Sequence, residues 1–332
     1  MKPYAAFFCS NTANIDRVYG DERIARIREI CSLYPEIITD KNYAAHPECM
    51  EHVEVIFTTW GMPVLNEEAI NSMRSLRCIM YGAGSVKFFA KPYLERGITV
   101  VSAAYANGEL VADFTLAQIT LAAKGYFRTL KSNGYNNAEI LPRIAPKGLF
   151  DIDIGIIGAG NIGRMVLAGL ADKECRLHVY DPFMPEIDAA EFGADKMSLE
   201  QLFATCDIVS NHAPNIPSTE RMLTGAMFES MPTGACFINT GRGATVCEEE
   251  MIEVLQHRRD ITAFLDVTHP EPPAPDSPLL RMPNVFLSPH IAGTIGREVR
   301  HMADYIITQY RRIRAGEMPD GLVTLEKFDQ LA

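Results

Sequence analysis

The chain has 332 residues, which at about 150 residues per domain predicts two domains, each able to bury a core without disulfides or a structural metal. Its 31 Lys plus Arg against 42 Asp plus Glu leave a net charge of −11, the wrong sign for a protein that works on phosphate backbones or anionic lipid. With no apolar run of about 18 residues to cross a bilayer, neither nucleic acid nor membrane is expected as a partner.

In chain order, the opening residues Met1–Asn11 alternate like a first β-strand rather than like an export signal, so a cytoplasmic location is expected. The first βα alternation follows. Strands are predicted at Tyr4–Cys9, Val53–Thr59, Arg77–Tyr81 and Ile98–Ser102, with helices at Asp21–Leu33 and Glu67–Leu76. A long helical pattern from Glu109 to about Leu130 then joins two halves of the chain. In the second half, strands are predicted at Asp153–Ile157, Arg176–Tyr180, Ile208–Asn211, Ala235–Thr240, Thr262–Val267 and Val285–Ser288. One intervening helix opens with a capping box, Ser198 followed by Gln201. The proline-dense stretch Pro270–Pro289 excludes regular helix, and a last helix is expected from about Gly296 to Arg314. Strands alternating with helices predict an α/β fold with parallel sheets wound on both faces. The eight cysteines show no CxxC and no Cys/His ligand spacing; they read as reduced core thiols, and no metal site is expected. His46, His52, His257 and His301 have no partner spacing and read as surface residues.

Chemistry is concentrated at the ends of the second set of strands. The strand at Asp153–Ile157 runs into Gly158, Gly160 and Gly163, a GxGxxG turn opening a helix. Such a turn permits close backbone approach to a pyrophosphate at a helix N-terminus. The next strand ends in Asp181, where a carboxylate accepts hydrogen bonds from ribose hydroxyls and repels a 2′-phosphate; with no cation in Pro182 or Phe183, this predicts NAD rather than NADP. Three later strand ends deliver Arg242, then Asp266 with Glu271 five residues on, then His290. A guanidinium fork can grip a carboxylate and polarise a neighbouring carbonyl, and histidine is the side chain suited to exchange a proton near neutrality. Together these groups are what reversible hydride transfer to a 2-oxo acid needs.

The order of motifs resembles the D-isomer-specific 2-hydroxyacid dehydrogenases. It runs from the Gly82–Gly84 turn through Ala106-Asn107, Val111-Ala112-Asp113, GIIGAGNIG, HAPNIPST, INTGRG, LDV with Glu271-Pro272, and SPHIAG. The resemblance implies a Rossmann NAD-binding domain, residues 105–295, inserted into a flavodoxin-like substrate domain, residues 1–104 and 296–332, and a homodimer. It implies that Arg242 orients the substrate, His290 is the acid/base and Glu271 holds His290. It places Gly158, Gly160, Asn161, Ile162, Gly163, Asp181, Pro214, Thr219, Thr240, Gly241, Asp266 and Gly293 at the cofactor, with Arg242 and His290 beside them. Ala83, Gly84, Ser85 and Trp60 are the expected substrate contacts. Trp60 stands in the loop where phosphoglycerate-oxidising members place an arginine, so strict specificity for that substrate is not expected. A non-enzymatic alternative on the same fold is an NAD(H)-sensing binding protein of the corepressor type.

Overall fold

The computed structural model describes residues 1–131 and 147–328, in two compact units, Met1–Asn107 with Thr294–Ala332, and Gly108–Gly293. The first unit begins with β1 (Tyr4–Phe8), followed by helix α1 (Ala13–Val18), β2 (Ser32–Leu33), β3 (Val55–Thr58), β4 (Cys78–Tyr81) and β5 (Thr99–Ser102). Helix α2 (Ala104–Ala123) carries the chain into the second unit. There β6 (Asp153–Ile157), helix α3 (Asn161–Leu170), β7 (Arg176–Tyr180), β8 (Ala194–Lys196), helix α4 (Leu199–Thr205), β9 (Ile208–Asn211), β10 (Cys236–Asn239), β11 (Thr262–Leu265) and β12 (Val285–Leu287) follow. The chain then re-enters the first unit through helix α5 (Val299–Arg314) and β13 (Leu322–Val323).

The first sheet has the order β2–β1–β3–β4–β5–β13, parallel except for β13, which pairs antiparallel to β5. The second has the order β8–β7–β6–β9–β10–β11–β12 and is parallel throughout. Both faces of each sheet are buried. In the first unit Ala6, Phe8, Ile56 and Ile79 pack into one cluster while Ala5, Phe7, Val55 and Phe57 pack into another. In the second, Ile154 and Ile156 face one cluster and Val209 and Phe237 the other. Burial on both faces explains why these strands read as continuous apolar runs rather than as polar–apolar alternation. Gly155 in β6 is required by packing, because a Cβ there would stand 2.5 Å from Leu202 on α4.

Several predicted bounds overshoot. Cys9, Val53 and Val267 are buried yet lie outside the strands, because the apolar run reports burial rather than pairing. The helix expected from Glu109 to about Leu130 begins earlier, at Ala104, and stops at Ala123; Gly125, at φ +65°, precedes a separate helix Tyr126–Lys131. The last helix starts at Val299 rather than Gly296. The capping box forms as expected, with Ser198 Oγ accepting from Gln201 N at 3.2 Å and Gln201 Oε1 from Ser198 N at 3.1 Å. All eight cysteines are free, and Cys175 alone is not buried. His46 is not a plain surface residue: its ring is mostly covered and hydrogen-bonds the Tyr34 hydroxyl at 2.9 Å.

Candidate active site

The glycine turn after β6 uses its three glycines differently. Gly158 has φ +85°, and a Cβ on it would lie 2.9 Å from Ala213 N. A Cβ on Gly163 would lie 2.0 Å from the Gly158 carbonyl oxygen, so α3 can seat against the turn only with hydrogen there. At Gly160 nothing lies within 4 Å of that position, which leaves an open cradle for another molecule's atoms. Gly160 is also the N-cap of α3, and no side chain caps the helix there. The first-turn N–H groups and the positive end of the helix dipole therefore suit an anion. Asp181, just past β7, ties the turn down: its Oδ2 accepts from Ala159 N at 2.7 Å, and its Oδ1 from Phe183 N at 2.7 Å and Met184 N at 3.1 Å. Open cradle, uncapped helix and fixed carboxylate are a donor set that fits a dinucleotide.

As the last residues of β9 and β10, two asparagines in register hold the next loop. Asn211 Nδ2 donates to Asn239 Oδ1 at 3.0 Å and to Thr245 Oγ1 at 2.9 Å. Asn239 Oδ1 also accepts from Gly241 N at 3.1 Å. The Arg242 carbonyl receives Asn239 Nδ2 at 3.2 Å and Thr245 Oγ1 at 2.8 Å. Gly243 lies so close to the following loop that a Cβ would stand 2.1 Å from the Thr268 carbonyl oxygen. The Arg242 backbone is thus held from both sides, and its Nη1 donates to the Gly241 carbonyl at 2.8 Å. Burial pushes the guanidinium below its ordinary range, while the charge of Glu271 acts in the opposite direction.

Asp266, 3% exposed at the end of β11, organises the histidine turn. Its Oδ1 accepts from Ser288 Oγ at 2.5 Å and Ile291 N at 2.9 Å, its Oδ2 from Ala292 N at 2.9 Å, and its carbonyl from His290 N at 2.9 Å. Within that turn His290 sits at φ +55°, a left-handed conformation that costs a non-glycine residue about 1–3 kcal/mol and recurs at functional sites. Its Nδ1 lies 2.6 Å from Glu271 Oε1, with the two side chains 50% and 42% exposed. A carboxylate accepts only, so Nδ1 carries the proton and Nε2 is left for chemistry. The loop bearing Glu271 is pinned by Thr268 Oγ1 donating to the Pro270 carbonyl at 2.8 Å and His269 N donating to Glu248 Oε2 at 2.9 Å.

Of the other expected residues in this unit, Thr219 closes its own loop, donating to the Pro214 carbonyl. Asn161 is exposed, Ile162 is partly buried on α3, and Gly293 is partly buried at the last position of the unit. Thr240 is buried and bonds Thr115 Oγ1 at 3.1 Å and His212 Nδ1 at 3.3 Å. Trp60, Ala83, Gly84 and Ser85 belong to the first unit. There Thr59 Oγ1 donates to the Gly82 carbonyl at 2.8 Å, and Ser102 Oγ donates to the carbonyls of Ala83 and Gly84 at 3.0 and 2.6 Å. Ala83 is buried, Gly84 borders open space and Ser85 is exposed.

Sequence reasoning missed Asn211, His212, Asn239 and Thr245. One signal was available, an asparagine at the same strand-end position in IVSNH and CFINT. His212 is buried, its Nε2 on Ser210 Oγ at 2.9 Å, and burial pushes its imidazole down to about 3. The unfolded chain takes up a proton near pH 6.5 that the folded chain refuses, so stability falls as pH drops from about 6.5 towards 3. Urea denaturation should therefore show wild type losing about 2 kcal/mol more than His212→Gln between pH 7.5 and 5; equal losses would mean that His212 is charged in the fold.

No helix among the described residues is long and apolar enough to cross a membrane, and no His/Cys/Asp/Glu group there could hold a metal ion. The sequence profile of the D-isomer specific 2-hydroxyacid dehydrogenase NAD-binding domain matches residues 123–292, half of the chain. A D-3-phosphoglycerate dehydrogenase of Archaeoglobus fulgidus is 29% identical over 249 residues, 74% of this chain and 46% of that protein. The chain spans about half the length of the phosphoglycerate dehydrogenases it matches. A D-specific alpha-keto acid dehydrogenase of Enterococcus faecalis is 32% identical over 224 residues, 64% of this chain and 67% of that protein. In fold, the chain matches the crystal structure of a phosphoglycerate oxidoreductase from Rhizobium etli with a TM-score of 0.80 and 22% identity, over 97% of this chain and 98% of that one. With an NAD-binding domain that the profile identifies and the glycine turn, helix and carboxylate to fit the dinucleotide, the chain belongs to the D-isomer specific 2-hydroxyacid dehydrogenase family.

Proposed function

We propose that the protein is an NAD-dependent oxidoreductase interconverting a 2-hydroxy acid and its 2-oxo acid. The observation that carries this reading is the 2.6 Å bond between His290 Nδ1 and Glu271 Oε1, which leaves Nε2 available in the unit that holds the glycine turn. When bound, NADH supplies the hydride that C2 of the 2-oxo acid receives. His290 Nε2–H gives its proton to the carbonyl oxygen, completing the hydroxyl; in the reverse direction neutral Nε2 takes that proton back. Glu271 holds the ring by Nδ1 throughout, and Arg242 grips the substrate carboxylate and draws charge onto the carbonyl oxygen.

The dinucleotide is assigned to Gly158, Gly160, Asn161, Ile162, Gly163 and Asp181, with Pro214, Thr219, Thr240, Gly241, Asp266 and Gly293 completing the contacts that the family resemblance implies. Trp60, Ala83, Gly84 and Ser85 are assigned to the substrate on the same ground. A cytoplasmic homodimer is part of this proposal, supported by the resemblance and by eight unbridged cysteines. A panel of 2-oxo acids including glyoxylate, hydroxypyruvate and bulkier tails, assayed with NADH, tests the reading. Turnover of at least one supports it, whereas NADH binding without turnover of any would favour the nucleotide-sensing alternative.

Asp181 also predicts cofactor choice. Its carboxylate is fixed by three backbone N–H groups, Pro182 and Phe183 beside it are exposed and uncharged, and Arg164 is committed to Asp188 at 2.9 Å. A 2′-phosphate would meet the Asp181 charge, while the two cations of this region are already engaged, Arg164 by Asp188 and Lys196 by the Met184 carbonyl. kcat/KM with NADH should exceed that with NADPH by at least about tenfold, and a ratio of one or less would remove this role from Asp181.

A further inference from the structure

At the C-terminal end of the second sheet, one level of side chains in register reads Tyr180, Ile157, Asn211, Asn239, Leu265 and Leu287 across β7, β6, β9, β10, β11 and β12. It continues as far as the edge strand only on the β12 side, and Tyr180, Ile157, Leu265 and Leu287 all pack into the same apolar cluster. The two asparagines in the middle are 0% and 1% exposed. Burial alone would put leucine or isoleucine there, since an amide gives up its water on entering the core and asparagine is depleted in strands.

The Asn211 amide is fully engaged. Its Nδ2 donates to Asn239 Oδ1 at 3.0 Å and to Thr245 Oγ1 at 2.9 Å, and its Oδ1 accepts from Ala213 N at 3.1 Å. Because Nδ2 can only donate, Asn239 must turn its oxygen towards it and Thr245 a lone pair. Their remaining donors, Asn239 Nδ2 and the Thr245 hydroxyl, are thereby aimed at the Arg242 carbonyl, 3.2 and 2.8 Å away. Gly241 lets the two loops meet, since a Cβ on it would stand 3.0 Å from the Asn211 carbonyl oxygen and 3.2 Å from that of Ala213. A buried, satisfied polar network thus joins the loop after β9 to the loop that carries Arg242, and such networks specify one arrangement where apolar packing tolerates several.

We infer that Asn211 and Thr245 are positioning residues: they make the two loops one body and so set where the Arg242 guanidinium stands, without touching the substrate themselves. The inference rests on the 2-oxo acid reading and adds to it the buried groups that give Arg242 its aim. Arg242 Nη1 donates to the Gly241 carbonyl at 2.8 Å, so a shift of the loop carries the head group with it. A displacement of about 1 Å in a group that orients a substrate can cost about 10²-fold in rate.

The test uses the full chain with Asn211→Leu, Thr245→Val and Thr245→Ser, each made in wild type and in Arg242→Lys. Leucine continues the apolar row, valine has the shape of threonine without its hydroxyl, and serine keeps the hydroxyl. The measurements are kcat and KM for the best 2-oxo acid of the panel, NADH affinity by fluorescence, and binding of oxamate, an unreactive isostere of pyruvate, to the enzyme–NADH complex. Thr245→Val and Asn211→Leu should each lower kcat/KM by about 10- to 100-fold, in kcat as well as in KM, and weaken oxamate binding. Thr245→Ser should stay within about threefold of wild type because it keeps the bond, and Thr245→Val should leave NADH affinity unchanged. In Arg242→Lys the same substitutions should cost less than about threefold further, because the aim that they set is already lost. A merely structural role would lower the melting temperature without this dependence on Arg242. Losses that multiply undiminished in Arg242→Lys, Thr245→Ser as poor as Thr245→Val, or wild-type kinetics in Thr245→Val would overturn the inference and leave the proposed activity standing. If Asn211→Leu does not fold, the two Thr245 variants decide alone. Oxamate binding weakened in Thr245→Val, with no acid reduced by wild type, would uphold the positioning role and overturn the activity. Neither oxamate binding nor turnover in wild type would overturn both.

Discussion

His290→Ala should lower kcat by about 10²- to 10⁴-fold while leaving NADH affinity within a few-fold of wild type. The imidazole is the group placed to exchange a proton, whereas the glycine turn, α3 and Asp181 make no bond to it among the described contacts. Because His290 occupies φ +55°, alanine also meets a backbone that it tolerates poorly, and part of any loss would come from a shifted turn. His290→Asn separates the two effects, since asparagine accepts left-handed backbone more readily but cannot act as a base near neutrality. Both variants should lose kcat alike. NADH fluorescence titration beside steady-state turnover reads both halves. A near wild-type kcat in His290→Asn would make the histidine a conformational residue, and a parallel collapse of NADH affinity would show that it holds the cofactor instead.

Arg242→Lys should cost about 10²-fold in kcat/KM although the charge is kept. The bonds that fix this position are to its backbone: Asn239 Nδ2 and Thr245 Oγ1 hold the Arg242 carbonyl, and Gly243 lies against the Thr268 carbonyl. The substitution should therefore leave the loop in place and change only the head group. A lysine ammonium offers a point charge where the guanidinium offers two parallel N–H bonds, so it can attract a carboxylate without also directing the carbonyl. The loss should appear in kcat as well as in KM, because the contact to the carbonyl oxygen strengthens as negative charge develops there. Steady-state kinetics with one 2-oxo acid, together with a thermal melt to show that the fold is retained, checks this. Wild-type kcat/KM in Arg242→Lys would take Arg242 out of the substrate's contacts.

What the sequence made legible follows from chain direction and residue type. A parallel strand leaves its last residue at the ligand edge, so Asp181, Arg242, Asp266 and His290 could be placed there from strand prediction alone. The capping box and the GxGxxG turn were legible because their partners lie within a few residues. The edge strands Ser32–Leu33, which the sequence reading placed at the end of a helix, Ala194–Lys196 and Leu322–Val323 were not, since they are short, only partly buried and paired on one side by distant residues, whereas Val285–Leu287, equally short, follows a proline-dense loop that marks its start. The asparagine bracket was missed for the same reason, Asn211 and Asn239 being 28 positions apart in the chain. Asp266 was expected at the cofactor, and its accepted bonds show a second task that no spacing rule reveals: three donors from the 288–292 turn converge on its carboxylate and set the backbone that presents His290.

The most direct test of the central claim follows one atom. NADH deuterated on the transferred face of nicotinamide C4 is mixed with the enzyme and the best 2-oxo acid of the panel, and the product is examined by mass spectrometry and chiral chromatography. The account predicts a D-2-hydroxy acid carrying deuterium at C2, with the hydroxyl proton drawn from solvent. An L-configured product, a product without deuterium at C2, or NADH that binds and is never oxidised by any 2-oxo acid would contradict it.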